Sequence, residues 1–381
     1  MWTLIFTSLL IFNICLLPLS QIDLLKAFTT YWFKVIFCCA ANIDIFLCNS
    51  DGIRTLKLPL NSFSPADIYA SYRGFSKLCR EFKPDIVNCH RGEAFYLFSF
   101  LKKVYGYKLI RTRGDQRKPS ENFINKFLHN SVADAIITTN SDMSEYFHKN
   151  LHVPENKIHT ILGGVDTKKF FPQKENQNAF KIRYGFKEDD VLLGIIGRLD
   201  AIKGFHETIL AFHKAAGQSE SACRNLHLLV AGLNCDFTID DLKDFCKEHG
   251  ISQEHIHFYS YLADMNAFMN MLDVGVVASL GSETIARVAF ELIACHTPII
   301  GSRIGVMPDI LENEYLFNAG QISEMTGLFI KCLNKGYRER LLRSCLNNFY
   351  GKNTETSLYG WSLEDFYQKT IQVYSQLFKP V

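Results

Sequence analysis

Apolar and polar positions alternate along this chain with two periods, one typical of strands and one of helices. Short apolar runs rich in β-branched residues are separated by stretches whose apolar residues recur at helical spacing, such as 65–82 and 120–132. This alternation predicts a parallel sheet covered by helices. The runs predicted as strands are KVIFCCA (34–40), PDIVNCH (84–90), YKLIRTR (107–113), DAIITTN (134–140) and KIHTILGG (157–164).

A polar stretch over 166–181 is predicted to link two domains, because the same alternation restarts after it. The fold class is therefore predicted as α/β, with two doubly wound Rossmann-like domains facing across a cleft. The predicted domains are 1–172 and 173–360, and a C-terminal helix over 361–381 is expected to close the chain by packing back on the N-terminal domain. The second set of predicted strands is VLLGIIGR (191–198), NLHLLVAG (225–232), HIHFYSY (255–261), VGVVAS (274–279) and TPIIGS (297–302).

Composition supports a globular protein that does not depend on a global charge. The 381 residues are 48% hydrophobic and 21% charged, which excludes a disordered chain, and the net charge is only +2. Nucleic acid is therefore not an expected partner. The twelve cysteines lie scattered in apolar runs without a C-x-x-C pair, which favours buried thiols in a cytoplasmic protein over disulfides or a zinc site.

The N-terminal segment 1–22 is almost wholly apolar, with no charged side chain before Asp23. A buried first strand with a short hydrophobic extension is the favoured interpretation. A membrane anchor and a secretory signal remain as alternatives, although Pro18 interrupts the run and no positive region precedes it.

The segment GSETIARVAFELIACHTPIIGS (281–302) carries two carboxylates, Glu283 and Glu291, in an apolar context. A helix is predicted from Thr284, with Glu283 at its mouth and its N-terminal N–H groups available to a phosphate. The carboxylates would then lie roughly 12 Å apart along the axis, too far for a glycosidase pair. Two interpretations stay open: a grip on hydroxyl groups of one long anionic ligand, or a capping Glu and an exposed Glu.

A second segment, GIIGRLDAIKGFHETILAF (194–212), is predicted as a strand, a turn and a helix. It places Gly197, Arg198, Lys203 and Gly204 at the end of the strand. The two cations could neutralise a diphosphate, and Gly197 would let the backbone approach a ligand. Because the chain has no D-x-D, paired aspartates holding a metal are not the expected means. Two solvated surface cations are the alternative.

The segment 101–118 holds seven cations against one acid, Asp115. A solvated basic face is one interpretation of this segment, and contact with an anionic acceptor or membrane surface is the other. The residues assigned to that surface are Arg111, Arg113, Arg117 and Lys118.

In their order along the chain, GR…KG, S…E-x7-E and AC-x-x-P resemble glycosyltransferase family 4, whose members have the GT-B fold. Further similarity lies in PDIVNCH, which ends at His90, and in 151–172 and 255–279. The resemblance extends from about residue 34 to the final helix.

The resemblance implies a retaining transfer of a sugar from a nucleotide-sugar donor without a metal or other cofactor. The N-terminal domain would bind the acceptor and the C-terminal domain the donor. A cell-surface glycan or a lipid-linked, lipopolysaccharide-type acceptor is implied, with the enzyme in the cytoplasm and peripheral on the inner face of the membrane.

The resemblance also implies roles for single residues. Arg198 and Lys203 would bind the diphosphate, Glu291 the ribose hydroxyls and Glu283 the donor sugar. His90 would lie near the transferred sugar, or else be a structural histidine at a strand end. The backbone N–H groups expected to line the phosphate and sugar belong to Thr284, Ile285 and Ala286.

Three departures from the family pattern keep rival functions open. The first glycine is Gly52, and LLPLSQ (16–21) stands where members have a glycine-rich loop. His296 and Ala286 stand where members usually have glycine, although histidine tolerates a left-handed turn better than most residues. The rivals are a nucleotide-sugar epimerase of the same fold and a non-catalytic member that binds a partner.

Overall fold

The computed structural model describes residues 3–7, 34–40, 54–60, 62, 64–90, 92–218, 225–281, 283–350 and 360–378. The chain forms two compact units, Met1–Leu162 with Phe366–Val381 (unit 1) and Gly163–Asp365 (unit 2). The sequence-based boundaries after residues 172 and 360 stay predictions. The segment LLPLSQ, Gly52 and Ser282 lie outside the described residues.

Unit 1 contains a parallel sheet with the strand order β3-β2-β1-β4-β5-β6-β7. The hypothesis that the chain begins with a strand is confirmed for residues 3–7, which pair with β2 on one side and β4 on the other. In the described part of the chain, no helix has the length and apolar character of a membrane span. The strands are β1 (Thr3–Thr7), β2 (Lys34–Ala40), β3 (Arg54–Leu58), β4 (Ile86–Cys89), β5 (Lys108–Arg113), β6 (Ala135–Thr138) and β7 (Ile158–Thr160).

The first described helix of unit 1 shows why its bounds were predictable. The Ser64 hydroxyl accepts a hydrogen bond from the Asp67 N–H (3.3 Å), Pro65 occupies the first turn, and Lys83 ends the helix with a φ of 46°. The predicted helix over 120–132 is an α-helix followed by a π-helical turn, Leu128–Val132. The helices are α1 (Pro65–Phe82), α2 (Gly92–Tyr105), α3 (Phe123–Phe127) and α4 (Ser141–Lys149).

Unit 2 contains a second parallel sheet with the strand order β10-β9-β8-β11-β12-β13. Strand β8 lies at its centre and pairs with β9 over nine residues, from Val191↔Leu226 to Leu199↔Asn234. The predicted fold class, two doubly wound Rossmann-like units, is confirmed. The strands are β8 (Val191–Leu199), β9 (Leu226–Asn234), β10 (Ile256–Tyr259), β11 (Val274–Val277), β12 (Ile299–Ser302) and β13 (Leu316–Phe317).

The segment predicted as a linker is packed against unit 2. The buried Lys174 ammonium donates to the Asn270 carbonyl (2.7 Å) and the Thr297 hydroxyl (2.9 Å), and burial lowers its pKa to about 8. The polar residues that suggested a linker therefore make hydrogen bonds within unit 2. The helices from here on are α5 (Gln177–Arg183), α6 (Phe205–Gln218), α7 (Ile239–Glu248), α8 (Met265–Met271), α9 (Arg287–Ala294), α10 (Met307–Ile310), α11 (Ile322–Cys332), α12 (Lys335–Tyr350) and α13 (Leu363–Gln376).

The end of α13 belongs to unit 1, where Tyr374 is buried. The Asn88 amide of β4 donates to the Tyr374 hydroxyl (2.7 Å) and accepts from the Thr112 hydroxyl of β5 (2.8 Å). These hydrogen bonds tie the last helix to the carboxyl ends of β4 and β5.

Candidate functional site

The turn after β8 is held by a capping carboxylate and by a glycine. Asp200 Oδ1 accepts a hydrogen bond from the Ile202 N–H (3.2 Å) and caps the 3-10 turn Ala201–Lys203. Gly204 follows with a φ of 72°, and a Cβ there would lie 2.1 Å from the Ala278 carbonyl oxygen. Only glycine fits this conformation and this close approach. The turn therefore fixes Lys203 beside the segment that follows β11.

That segment, which includes Ser279 and Glu283, buries a carboxylate. Glu283 is 7% exposed, and its Oε1 accepts hydrogen bonds from the Ser279 hydroxyl and the Lys203 ammonium. Its carbonyl accepts from the Val306 N–H (2.9 Å), where the preceding Gly305 has a φ of 59°. A buried charge is stable only when it is paired, so Lys203 and Glu283 hold each other in place.

The helix that carries Glu291 begins later than predicted. Helix α9 starts at Arg287, and Ala286 before it has a φ of 44° in the left-handed region. Thr284, Ile285 and Ala286 therefore precede the helix, and the ideal helical separation of the two carboxylates does not apply. The physical reason is Glu283 itself, since its side chain and carbonyl are both tied to neighbouring segments.

A cavity of about 320 Å³ opens at the carboxyl ends of β8, β9 and β10. Three residues predicted to bind a donor line it together: Gly197, Arg198 and Glu291. Burial raises the pKa of Glu291 to about 7, against the opposing effects of Arg287 and Lys169. The other lining residues are Ile196, Ala231, Gly232, Leu233, Tyr259, Ser260, Tyr261, Leu262, Met265, Met269 and Val288.

The sequence analysis missed the apolar rim of this cavity. Leu233 and Tyr261 are 62% and 78% exposed, although both are large and apolar. Leu233 is the next-to-last residue of β9, and Tyr261 lies two residues past the end of β10. Both are at the edge where ligands of such sheets bind. The available signal was an apolar residue at a predicted strand end, as Tyr261 is, or just past one, as Leu233 is.

Each predicted phosphate-binding cation contacts a carboxylate. The Arg198 guanidinium, 59% exposed, lies 3.0 Å from Asp200 Oδ2, and Lys203 pairs with Glu283. Asp200 is buried and holds the turn, so its charge also orients Arg198. The edge thus presents cations in fixed positions rather than as free surface charges.

His90 lies in unit 1 at the end of β4. Burial, with a contribution from the Arg111 guanidinium, lowers the pKa of His90 to about 3. Arg111 donates to the Cys89 carbonyl (2.9 Å) and lies 5.5 Å from the centre of the Phe95 ring. His90 is therefore neutral at physiological pH and suited to a hydrogen bond with an uncharged group.

The predicted surface role of Arg111 and Arg113 is wrong. Their exposures are 1% and 6%, because both belong to β5 and point into unit 1. The Arg113 guanidinium lies 2.6 Å from Asp115 and also donates to the Arg117 carbonyl. Arg117 and Lys118 are exposed, and Lys118 pairs with Asp142 (3.1 Å).

Two family models match the chain in sequence. The model described as Glycosyltransferase Family 4 matches residues 24–169, and the model described as Glycosyl transferases group 1 matches 190–335.

Curated relatives are distant and are matched over different shares of their length. An uncharacterized glycosyltransferase of Methanocaldococcus jannaschii is 23% identical over 309 residues, 77% of this chain and 75% of the relative. A D-inositol 3-phosphate glycosyltransferase of Saccharomonospora viridis is 24% identical over 216 residues, 53% of this chain and 47% of the relative.

Solved glycosyltransferase structures share the fold over the full chain. A Rickettsia africae glycosyltransferase matches with a TM-score of 0.79 at 16% identity, covering 100% of this chain and 99% of that one. Anabaena HepE in complex with UDP and glucose matches at 0.73 and 15%, covering 99% and 100%. The lipopolysaccharide outer core galactosyltransferase WaaB matches at 0.72 and 13%, covering 98% and 99%.

Two parallel α/β sheets, each in its own unit, and these structural neighbours define the fold as GT-B. The chain belongs to glycosyltransferase family 4.

Proposed function

We propose that this enzyme transfers a sugar, with retention of configuration, from a nucleotide-sugar donor to a cell-surface glycan or a lipid-linked, lipopolysaccharide-type acceptor. One observation carries the proposal: Gly197, Arg198 and Glu291 line one cavity in unit 2, beside the turn that holds Lys203 against Glu283. The complex of HepE with UDP and glucose supports a nucleotide-sugar as the donor.

The nucleoside occupies the cavity in this proposal. Glu291 accepts hydrogen bonds from the ribose hydroxyls. Because its pKa is about 7, more than half of the Glu291 side chains are ionised above pH 7. Tyr261 and Leu233 offer apolar surface at the rim for the base. Gly197 lets the ligand lie against the backbone.

The diphosphate of the donor takes over from two carboxylates as the partner of Arg198 and Lys203. Arg198 exchanges Asp200 for phosphate oxygens, and Lys203 turns from Glu283 toward the leaving group while Glu283 accepts from the donor sugar. Fixed cations stabilise the charge that builds up on the departing nucleotide, with no metal required. The backbone N–H groups of Thr284 to Ala286 are proposed to line the phosphate and sugar.

The acceptor side of the proposal is carried by unit 1. His90, neutral at the carboxyl edge of its sheet, hydrogen-bonds a sugar hydroxyl. The WaaB neighbour, a lipopolysaccharide outer core galactosyltransferase, supports a lipopolysaccharide-type acceptor. The proposal places the enzyme in the cytoplasm, peripheral on the inner face of the membrane. The exposed Arg117 and Lys118 remain as the part of the original basic patch that can contact an anionic acceptor.

Thermal unfolding with UDP, GDP, ADP and CMP tests the donor site. A nucleotide at 100 times its dissociation constant stabilises the protein by about 2.7 kcal/mol. We expect one nucleotide to raise the Tm of the wild type and of Glu188→Ala, an exposed control in unit 2, and to raise that of Glu291→Ala much less. No shift with any nucleotide or its sugar conjugates would favour the non-catalytic interpretation.

Product analysis separates transfer from epimerisation. We expect NMR of the matching nucleotide-sugar, incubated with the enzyme and no acceptor, to show no epimerised donor. An epimerised donor formed without an acceptor would contradict transferase activity as the main function.

A further inference from the structure

Helices α1, α2 and α3 of unit 1 expose an unusual number of large apolar side chains. Nine of the fifteen large apolar residues that are strongly exposed in the described part of the chain lie here, led by Phe123 (81%) and Phe100 (69%). We call this set the docking face. Its members are Ile68, Tyr69 and Tyr72 of α1, Tyr96, Phe100 and Val104 of α2, and Phe123, Ile124 and Phe127 of α3.

The α1 and α2 residues of the docking face form a groove, and a hydrogen bond connects α2 to α3. An apolar groove of about 780 Å³ runs between α1 and α2, with Tyr69, Tyr72 and Phe100 in its walls. The Tyr96 hydroxyl at the groove donates to Asn125 Oδ1 of α3 (2.9 Å), which joins α2 to α3. Contiguous apolar surface on this scale marks an interaction site rather than ordinary surface variation.

The segment that carries the docking face has more exposed cations than exposed acids. Among the described residues of 65–127, seven Lys and Arg are exposed against three Asp and Glu. The whole chain, in contrast, holds 41 Lys and Arg against 39 Asp and Glu. Lys77 and Lys103 are exposed on α1 and α2, and the Arg73 guanidinium lies over the Tyr69 ring (5.9 Å).

We infer that the docking face binds the surface of an anionic lipid bilayer. Tyrosine, phenylalanine and long cationic side chains are the residues that place rings at the acyl boundary and ammonium groups among headgroup phosphates. The excess of cations complements an anionic surface, which is why a bilayer is favoured over a second copy of this chain. The docking face brings the enzyme to the membrane that holds the lipid-linked acceptor. The inference rests on the proposed function for that acceptor.

Vesicle flotation of the full chain tests this inference. The probes are vesicles of phosphatidylcholine with 30% phosphatidylglycerol and vesicles of phosphatidylcholine alone. We expect wild type to bind the anionic vesicles and to be released by salt. Phe100→Ser with Phe123→Ser, and separately Lys103→Glu, should lower the bound fraction by about tenfold.

Matched controls lie on the exposed surface of unit 2. Ile182→Ser and Lys214→Glu change an exposed apolar and an exposed cationic side chain there, and both should bind as wild type. Nucleotide-dependent Tm shifts should be the same in all variants, so failure of the vesicle test is distinct from failure of the donor site.

Two results would overturn the inference. One is equal vesicle binding by wild type and the docking-face variants, which would assign any membrane contact to another segment. The other is absence of wild-type binding together with a dimer, seen by sedimentation velocity, that Phe100→Ser dissociates; the face would then be an interface between copies.

Discussion

The carboxyl edges of the two sheets hold charge in opposite ways. In unit 2, the cations lie at the end of β8 and in the turn after it, and they pair with carboxylates, as Arg198 does with Asp200. In unit 1, Arg111 lies within β5 and donates to the Cys89 carbonyl, next to a neutral His90. Two sheets of the same type therefore differ at their carboxyl edges: the unit 2 edge has charges that can exchange partners, and the unit 1 edge has a buried charge.

Exposure decides what each edge can bind. Arg198 is 59% exposed in its side chain and can exchange a carboxylate for a phosphate, whereas Arg111 is 1% exposed and donates to the Cys89 carbonyl. The unit 2 edge suits an anionic ligand, and the unit 1 edge suits uncharged hydroxyl groups.

Removing the half-buried cation Lys203 from the unit 2 edge should have the largest effect. Lys203→Ala removes a donor that we expect to stabilise the leaving diphosphate, so kcat/KM for sugar transfer should fall by about 10² to 10³. The control Lys214→Ala, exposed elsewhere in unit 2, should retain wild-type rates. Equal rates for both variants would place the charge stabilisation elsewhere.

The next largest effect tests how the turn is held. Gly204→Ala forces a Cβ against the Ala278 carbonyl in a left-handed conformation and should lower the free energy of unfolding by more than about 2 kcal/mol. Gly217→Ala, in a helix with no atom within 4 Å of the added Cβ, should be neutral or slightly stabilising. Urea unfolding of the two variants measures the difference.

The opposite edge of unit 2 should respond to acid. His227 Nδ1 lies 3.1 Å from His257 Nε2, with His255 and Asp190 beside them, and burial followed by the neighbouring histidines lowers the pKa of His257 to about 4. Because the ordinary value is 6.5, the unfolded chain binds the proton first, and stability is lost as pH falls from about 6.5 to about 4.

His257→Gln removes this linkage. Between pH 7 and pH 4 it should lose about 1 to 3 kcal/mol less of unfolding free energy than wild type. Chemical unfolding at both pH values measures this, with His213→Gln as an exposed control. Parallel losses in wild type and His257→Gln would show that this cluster does not titrate on unfolding.

The smallest effect concerns competition at Arg198. Asp200→Asn keeps the cap of the 3-10 turn but removes the competing charge, so nucleotide affinity should rise by about threefold to tenfold. Calorimetric titration of the nucleotide measures it. Weaker binding would mean that orientation of Arg198 by Asp200 matters more than competition.

The sheets were predictable because their strands are short apolar runs with clear ends. Strand β5 and helix α1 lie where the sequence places them, the latter through Ser64 and Pro65. Helix α12 was not assigned because its apolar period is weak, and α7 was missed although Thr238 and Asp241 form a capping box at its start.

The errors at the sites have two causes. Arg111 looked like a surface charge because its partners, Cys89 and Phe95, come from other elements of unit 1. The start of α9 was misplaced because the left-handed Ala286, which stands where family members usually have glycine, lies in a segment whose apolar pattern predicts one continuous helix. His296 was flagged for a left-handed turn and has a φ of 56°, as that substitution for glycine implied.

Hydrogen exchange with and without the stabilising nucleotide tests whether the unit 2 edge, and not the unit 1 edge, binds an anionic ligand. We predict slowed exchange in 194–204 and 283–294, and unchanged exchange in 86–90 and 108–113. Protection confined to the unit 1 segments, or none at a saturating concentration, would contradict the assignment of the exchangeable charges of unit 2 to an anionic ligand.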